Sequence, residues 1–420
     1  MGAPAKPSKT PVPLAPPVPA PQDVTVRDAP TLRPPSGMDG QPTRVGLMLP
    51  LSGPENAAGL GQAMLNAAML ALFDIGGKRL LLLPRDTGGT PEGASRAATE
   101  LVGEGAEIIL GPLFNTSVQA ATAVTRASGL PMIAFSSDRR VAGNGVYLLS
   151  FTPYQEVEAV IGFAASRGLK RFAVLAPDDP YGLAVLEAAR EAVQRHGVEL
   201  ARAEFYSPTG EGLDESVKRL ANYHNRREAL LARRNELTKD EGPTAKRMLE
   251  ALEKHDTLGA LDYDAVLLPE GGELLNSLAP LLPYYDIDTV EIRMLGTGRW
   301  DDAKVRLEPA LLGGWFAGAD RTAAADFRSR YQAAFGHGPP RLASLAYDAM
   351  ALAAVLALEA GGPNFSARAI TDPDGFVGSD GIFRFGPDGV AERGMAVLEI
   401  GRDGFSVRQK APTTFEALTN

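Results

Sequence analysis

The side chains that could do chemistry in this 420-residue chain are few and badly spaced for it. With no cysteine, disulfides, thiolate catalysis and zinc–thiolate sites are excluded. The four histidines, His196, His224, His255 and His337, have no metal-ligand spacing and read as surface or loop residues. Ser136-Ser137-Asp138 sets hydroxyls beside a carboxylate, but no histidine falls on a matching strand end to serve as the base of a triad. The adjacent pairs Asp178-Asp179 and Asp301-Asp302 suit loop and helix-cap positions better than an acid/base pair, whose carboxylates must face each other across a substrate. Gly59-Leu60-Gly61 follows a strand, yet Met64 stands where the third glycine of a dinucleotide fingerprint is needed to bring helix and pyrophosphate together. Walker A, G-x-S-x-G and H-E-x-x-H sequences do not occur. The chain therefore reads as a non-enzyme with no catalytic residues, no cofactor and no metal.

A binding role would have to be built by the elements that carry these residues. The composition, 45% hydrophobic and 22% charged, is that of a globular protein with room for two α/β cores. A net charge of -9 argues against nucleic acid, whose binders gather Lys and Arg against phosphates. The longest apolar runs, such as the four leucines between Arg79 and Pro84, are the length of strands rather than of bilayer spans. From Arg44 onward short aliphatic strands alternate with Gly/Pro/Asp loops and helical stretches, the pattern of parallel sheets with crossover helices. Strands are expected at 45–49, 80–83, 107–110, 131–135, 172–176, 203–206, 265–268 and 292–295, and a closing hairpin at 381–385 and 393–400 around Gly386-Pro387-Asp388-Gly389. So many βα units predict two doubly wound lobes, with ligands at the carboxyl ends of the strands.

Residues 1–43 are rich in proline and lack aliphatic patterning, so they read as an extended tether. Such a segment ahead of a folded domain is similar to a bacterial lipoprotein stalk, and Met1 is expected to stand where a lipidated cysteine or a signal-peptide end was removed.

Six loop motifs, in order, carry a resemblance to the type I periplasmic binding proteins of the branched-chain amino acid receptor group, over residues 44–410. They are Leu49-Pro50-Leu51-Ser52-Gly53-Pro54 with Gly59; Arg85-Asp86-Thr87 with Pro91 and Ala94; Ile109-Leu110-Gly111-Pro112; Pro131-Met132-Ile133; Phe151-Thr152-Pro153; and Asp178-Asp179-Pro180-Tyr181-Gly182. The resemblance implies two Rossmann-like lobes joined by a three-segment hinge that opens and closes a cleft. Lobe I is expected at 44–152 plus 316–365, lobe II at 153–315 plus 366–411, and a tail at 412–420. Ser52, Asn115, Ser136, Ser137, Asp138, Tyr181, Glu270 and Trp300 are the implied cleft residues.

Three departures from the receptor pattern alter that cleft. Asp138 stands where a threonine hydroxyl meets the ligand carboxylate, Gly298 where a glutamate pairs the ammonium, and Ala58 where a large aromatic packs. The cleft is expected to hold another small polar molecule or none. Residues 213–258 form a charged insertion that reads as a helical hairpin, broken at Asp240-Glu241-Gly242-Pro243. The doublets Arg226-Arg227 and Arg233-Arg234, seven residues apart, put a basic stripe on one helix face and offer a partner surface. Tether, insertion and altered cleft together resemble the outer-membrane lipoprotein activators of penicillin-binding proteins. The favoured expectation is a periplasmic lipoprotein that regulates a peptidoglycan synthase and meets the membrane only through its lost anchor. The alternative is the substrate-binding protein of an ABC transporter, with a permease as partner.

Overall fold

The computed structural model describes residues 41–240, 242–319, 321–359 and 361–415. The first 40 residues of the expected tether, with the expectation about Met1, and residues 416–420 of the expected tail lie outside the described residues.

Strand β1 (Thr43–Leu49) is buried along nearly its whole length, as a central parallel strand covered on both faces must be. It is flanked by β2 (Leu80–Asp86) and β3 (Ile108–Leu110), and β4 (Met132–Ala134) and β5 (Val146–Leu148) complete a five-stranded parallel sheet in the order β2-β1-β3-β4-β5. The crossover helices are α1 (Glu55–Ala71), α2 (Pro91–Gly103) and α3 (Asn115–Ala127). Helix α2 begins where its residues dictate: the Thr90 hydroxyl accepts from Gly93 N–H at 3.1 Å, and Pro91 needs no donor partner at the first helical position.

The second sheet has seven strands in the order β15-β14-β10-β9-β8-β6-β7. These are β6 (Arg171–Pro177), β7 (Glu199–Tyr206), β8 (Ala265–Leu268), β9 (Arg293–Gly296), β10 (Trp315–Gly318), β14 (Ala396–Ile400) and β15 (Phe405–Gln409). Five are mutually parallel, and β14 and β15 add on antiparallel. Helices α4 (Pro153–Ser166) and α5 (Pro180–Arg195) pack on it, and Asp179 caps α5 by accepting from Gly182 N–H at 2.8 Å. The helix-cap position read for that aspartate is the one it occupies. Helices α6 (Leu213–Leu220), α7 (Tyr223–Thr238) and α8 (Pro243–Leu252) make up the insertion, followed by α9 (Gly272–Leu278) and α10 (Leu281–Tyr284). The helix expected over 213–237 is interrupted at Asn222, whose φ of 47° is left-handed.

The chain returns through α11 (Arg321–Phe335) and α12 (Ala343–Ala357), which complete the first core beside α1. The stretch Glu55–Gly76 is, among the described residues, long and apolar enough to cross a bilayer by composition, a feature that the reading by apolar runs missed. In the fold its face of Gly61, Ala63, Met64, Ala67, Ala68 and Ala71 is buried in that core, where α12 lies alongside.

Two expected lobe boundaries differ from the observed sheets. Trp315–Gly318, assigned from Phe316 to lobe I, is paired with β9 and β14 inside the second sheet. The expected closing hairpin is split. Strands β11 (Phe376–Gly378), β12 (Gly381–Phe385) and β13 (Ala391–Arg393) form a small antiparallel sheet whose Phe383, Phe385 and Ala391 join the core of the first lobe. The chain then crosses at Gly394, where a Cβ would lie 2.8 Å from Ile382 and 2.9 Å from Pro412, to become β14 in the other sheet. The continuous apolar run Met395–Leu398 directly after Arg393-Gly394 concealed that crossing, because it reads as one strand.

Candidate functional site

On the first lobe the site starts at strand ends. Asp86, at the end of β2, accepts from the N–H groups of Leu51 (2.8 Å), Ser52 (3.1 Å) and Gly88 (2.8 Å), and so shapes the turn that carries Ser52. Burial opposes its ionisation, but the Ser52 hydroxyl and these N–H groups outweigh it and hold its carboxyl below the usual range. Helix α3 begins at Asn115, and Asn115 Nδ2 donates to Asp138 Oδ2 at 3.1 Å. Ser136 Oγ accepts from Asp138 N–H at 3.2 Å. The Arg140 guanidinium grips the same carboxylate through Nε (2.8 Å) and Nη2 (2.7 Å). That bidentate pair is the first cause holding the Asp138 carboxyl far below its ordinary value. Asp138 is thus an anion already answered by the chain. Ser137, next to it, is exposed.

On the second lobe the loops after β6, β8 and β9 converge. The Tyr181 hydroxyl lies 3.2 Å from Thr297 Oγ1, and the Arg299 guanidinium stacks 3.9 Å above the Tyr181 ring centre. Burial, then the nearby Glu156 charge, pushes the Tyr181 phenol up to about 12, so it stays a neutral hydrogen-bonding group. Arg299 Nη1 reaches Glu270 Oε1 at 3.1 Å, and the Tyr206 hydroxyl donates to Glu270 Oε2 at 2.7 Å. Burial followed by the Glu270 bond raises the Tyr206 phenol as well. Glu270, one of the implied cleft residues, is therefore buried and paired from inside.

Arg341 joins the lobes. It sits just before α12, its Nη2 donates to Glu156 Oε1 in α4 at 2.5 Å, and its guanidinium stacks 4.3 Å from the Phe151 ring centre. It also lies against Gly298: a Cβ there would be 2.3 Å from its terminal nitrogens. The glycine at this position leaves the space that the Arg341 guanidinium fills.

Two sets of assigned residues are placed elsewhere. Trp300 is fully buried in the second-lobe core with Phe316, not in the cleft, because Gly296 and Gly314 offer bare backbone for its ring to lie against. The basic stripe is split by the helix that bears it. Leu230 and Leu237 turn one side of α7 inward, which carries Arg226 and Arg234 with them. Arg226 donates to the carbonyls of Ala221, Gly259 and Asp286, and Arg234 to those of Leu252 and His255. Arg227 and Arg233 stay exposed but pair with Asp256 and Glu236. The residues missed by sequence reasoning are Arg140, Glu156 and Arg341. Gly298 was their one visible signal, since a missing side chain in a site implies that another group fills the space.

Residues 42–225 match the family model described as Periplasmic binding protein. An uncharacterized protein of Rickettsia prowazekii is 20% identical over 178 residues, which are 42% of this chain and 47% of that one, so the chain spans about half the length of this curated relative. The crystal structure of a putative branched-chain amino acid ABC transporter from Rhodospirillum rubrum is similar over 87% of this chain and 99% of its own, at 20% identity and a TM-score of 0.68. The solute binding protein of an ABC transporter from Rhodopseudomonas palustris, in complex with 3,4-dihydroxybenzoic acid, is similar over 89% of this chain and 97% of its own, at 20% identity and a TM-score of 0.57. The fold is that of the type I periplasmic binding proteins.

Proposed function

We propose that the chain is an extracytoplasmic receptor for a small solute, delivering it to an ABC transporter permease, and that the solute sits between the strand ends of the two sheets. The observation that carries this reading is the convergence of Tyr181, Thr297, Arg299 and Arg341 from three separate segments onto one place between the lobes. A merely structural pair of lobes has no need of two arginines left exposed there. The match to periplasmic binding proteins over 42–225, and the two transporter-linked structures with the same fold, support the same role. The reading involves binding without chemistry, and domain closure about three crossing segments would be its working motion.

The rival reading, a regulator that docks on a peptidoglycan synthase through a basic face, loses weight because Arg226 and Arg234 hold the insertion together instead of facing outward. The test is a thermal-shift screen of the full chain against amino acids, aromatic and aliphatic carboxylates, and muropeptides. A ligand at a hundred times its Kd stabilises the folded state by about 2.7 kcal/mol. A clear shift with a free small solute is expected. No shift with any of them would remove the receptor reading and leave the protein-partner one.

A further inference from the structure

We infer that the solute is a small organic carboxylate without an ammonium group, held by Arg299 and Arg341; this deepens the receptor reading and rests on it. The basis is which charges face outward. The side chains of Glu156 and Glu270 are 6% and 10% exposed, whereas those of their partners Arg341 and Arg299 are 38% and 42% exposed. The acids lie behind and the guanidiniums in front.

Each guanidinium commits one nitrogen to its carboxylate, Arg299 Nη1 at 3.1 Å and Arg341 Nη2 at 2.5 Å. Their other nitrogens make no hydrogen bond among the described residues and remain as donors in the planar geometry that a carboxylate accepts in two places. Most of the acids around them are already committed. Glu270 is taken by Arg299, Tyr206 and Gly271 N–H, and Asp138 by Arg140 and Asn115. Asp301 is taken by Arg321 at 2.8 Å and Arg328 at 3.7 Å. Asp380, the remaining acid that acts on Arg341, has its Oδ2 buried and without a hydrogen-bond partner among the described residues. Bringing a zwitterion into this place would desolvate its cation beside two exposed guanidiniums of like charge, while an acid without that cation meets open donors. Tyr181 and Phe151, each stacked on one of the two arginines, are partly exposed and set apolar surface beside the guanidiniums.

The experiment is calorimetric titration of the full chain with benzoate, succinate, sulfate and leucine, repeated with Arg299→Ala, Arg299→Lys and Arg341→Gln. The expected result is binding of benzoate or succinate, none of leucine, a loss of about tenfold or more in Arg299→Ala and Arg341→Gln, and partial retention in Arg299→Lys. Thermal midpoints check that each variant is folded, and the Arg299 pair carries the result if Arg341→Gln is not. Leucine binding tighter than either acid would overturn the ligand class and leave the receptor reading standing. Sulfate binding as tightly as the acids would reduce the site to one for any anion and overturn it too. Carboxylate binding indifferent to both arginines would overturn the site. Failure of every solute in the wider screen would overturn the receptor reading itself.

Discussion

Gly296→Ala tests the structural support of the site, because it touches no ligand-facing group yet sits under the loop that presents Thr297 and Arg299. At Gly296 a Cβ would stand 2.1 Å from Trp300 Cδ2, 2.4 Å from Cε2 and 2.5 Å from Cε3. Carbon–carbon contact begins at roughly 3.5 Å, so the methyl would lie more than an ångström inside the ring's fused edge. The ring has no retreat: it is fully buried, and on another side a Cβ at Gly314 would already be 3.0 Å from its Cζ3. Overpacking of a filled core costs about 1–3 kcal/mol, and expulsion of the indole approaches the roughly 3–5 kcal/mol of a Trp→Ala change. We therefore expect Gly296→Ala to cost about 3 kcal/mol or more, measured by urea denaturation with linear extrapolation. The informative arm is the double mutant. In a Trp300→Ala background the new methyl enters vacated space, so adding Gly296→Ala should cost less than about 1 kcal/mol, a coupling of about 2 kcal/mol or more. Fluorescence gives a second readout, since the chain has only two tryptophans and Trp300 is the fully buried one. Additive costs for the two substitutions would refute the packing argument and with it the placement of Trp300 in the core.

Asp348 gives a pH dependence of definite sign. It is completely buried, and burial, reinforced by the nearby Asp380 and opposed by Arg393, raises its carboxyl to about 6. A folded-state pKa above the unfolded value means that the folded state holds the proton more tightly. This contribution is full below about pH 4 and is lost as pH rises toward 6. The stability difference between wild type and Asp348→Asn should therefore move against the wild type across that interval; no change from pH 4 to 6 would sink the assignment. In the insertion, Arg234→Ala strips donors from the Leu252 and His255 carbonyls and should cost about 1–3 kcal/mol, with faster amide exchange confined to residues 243–258. Arg227→Glu and Arg233→Glu, on the exposed side of the same helix, should stay within about 0.5 kcal/mol. Equal costs for all three would mean that the two sides of α7 are not distinguished.

What could be read in the sequence followed from signals that are local. Four leucines after Arg79 and the Asp179-Pro180 cap each determine nearby backbone, and the parallel sheets follow from the repetition of such signals. The lobe boundaries were less legible because a strand's sheet is chosen by its partners: Phe316 looks alike whether it faces Gly296 or the other core. The site was least legible, for a related reason. Arg299 and Arg341 are separated by α11 and differ in no local respect from the arginines that pair with surface acids. What distinguishes them is that their carboxylate partners are more buried than they are, a relation between four residues in four different segments. The same relation decides the chemistry in the opposite direction at Arg226 and Arg234, where backbone carbonyls take the donors. A guanidinium becomes available to a ligand only when its own pairing leaves nitrogens facing out. For this chain the number of arginines on a helix face was therefore a poor guide, and the one glycine that makes room for Arg341 was a better one.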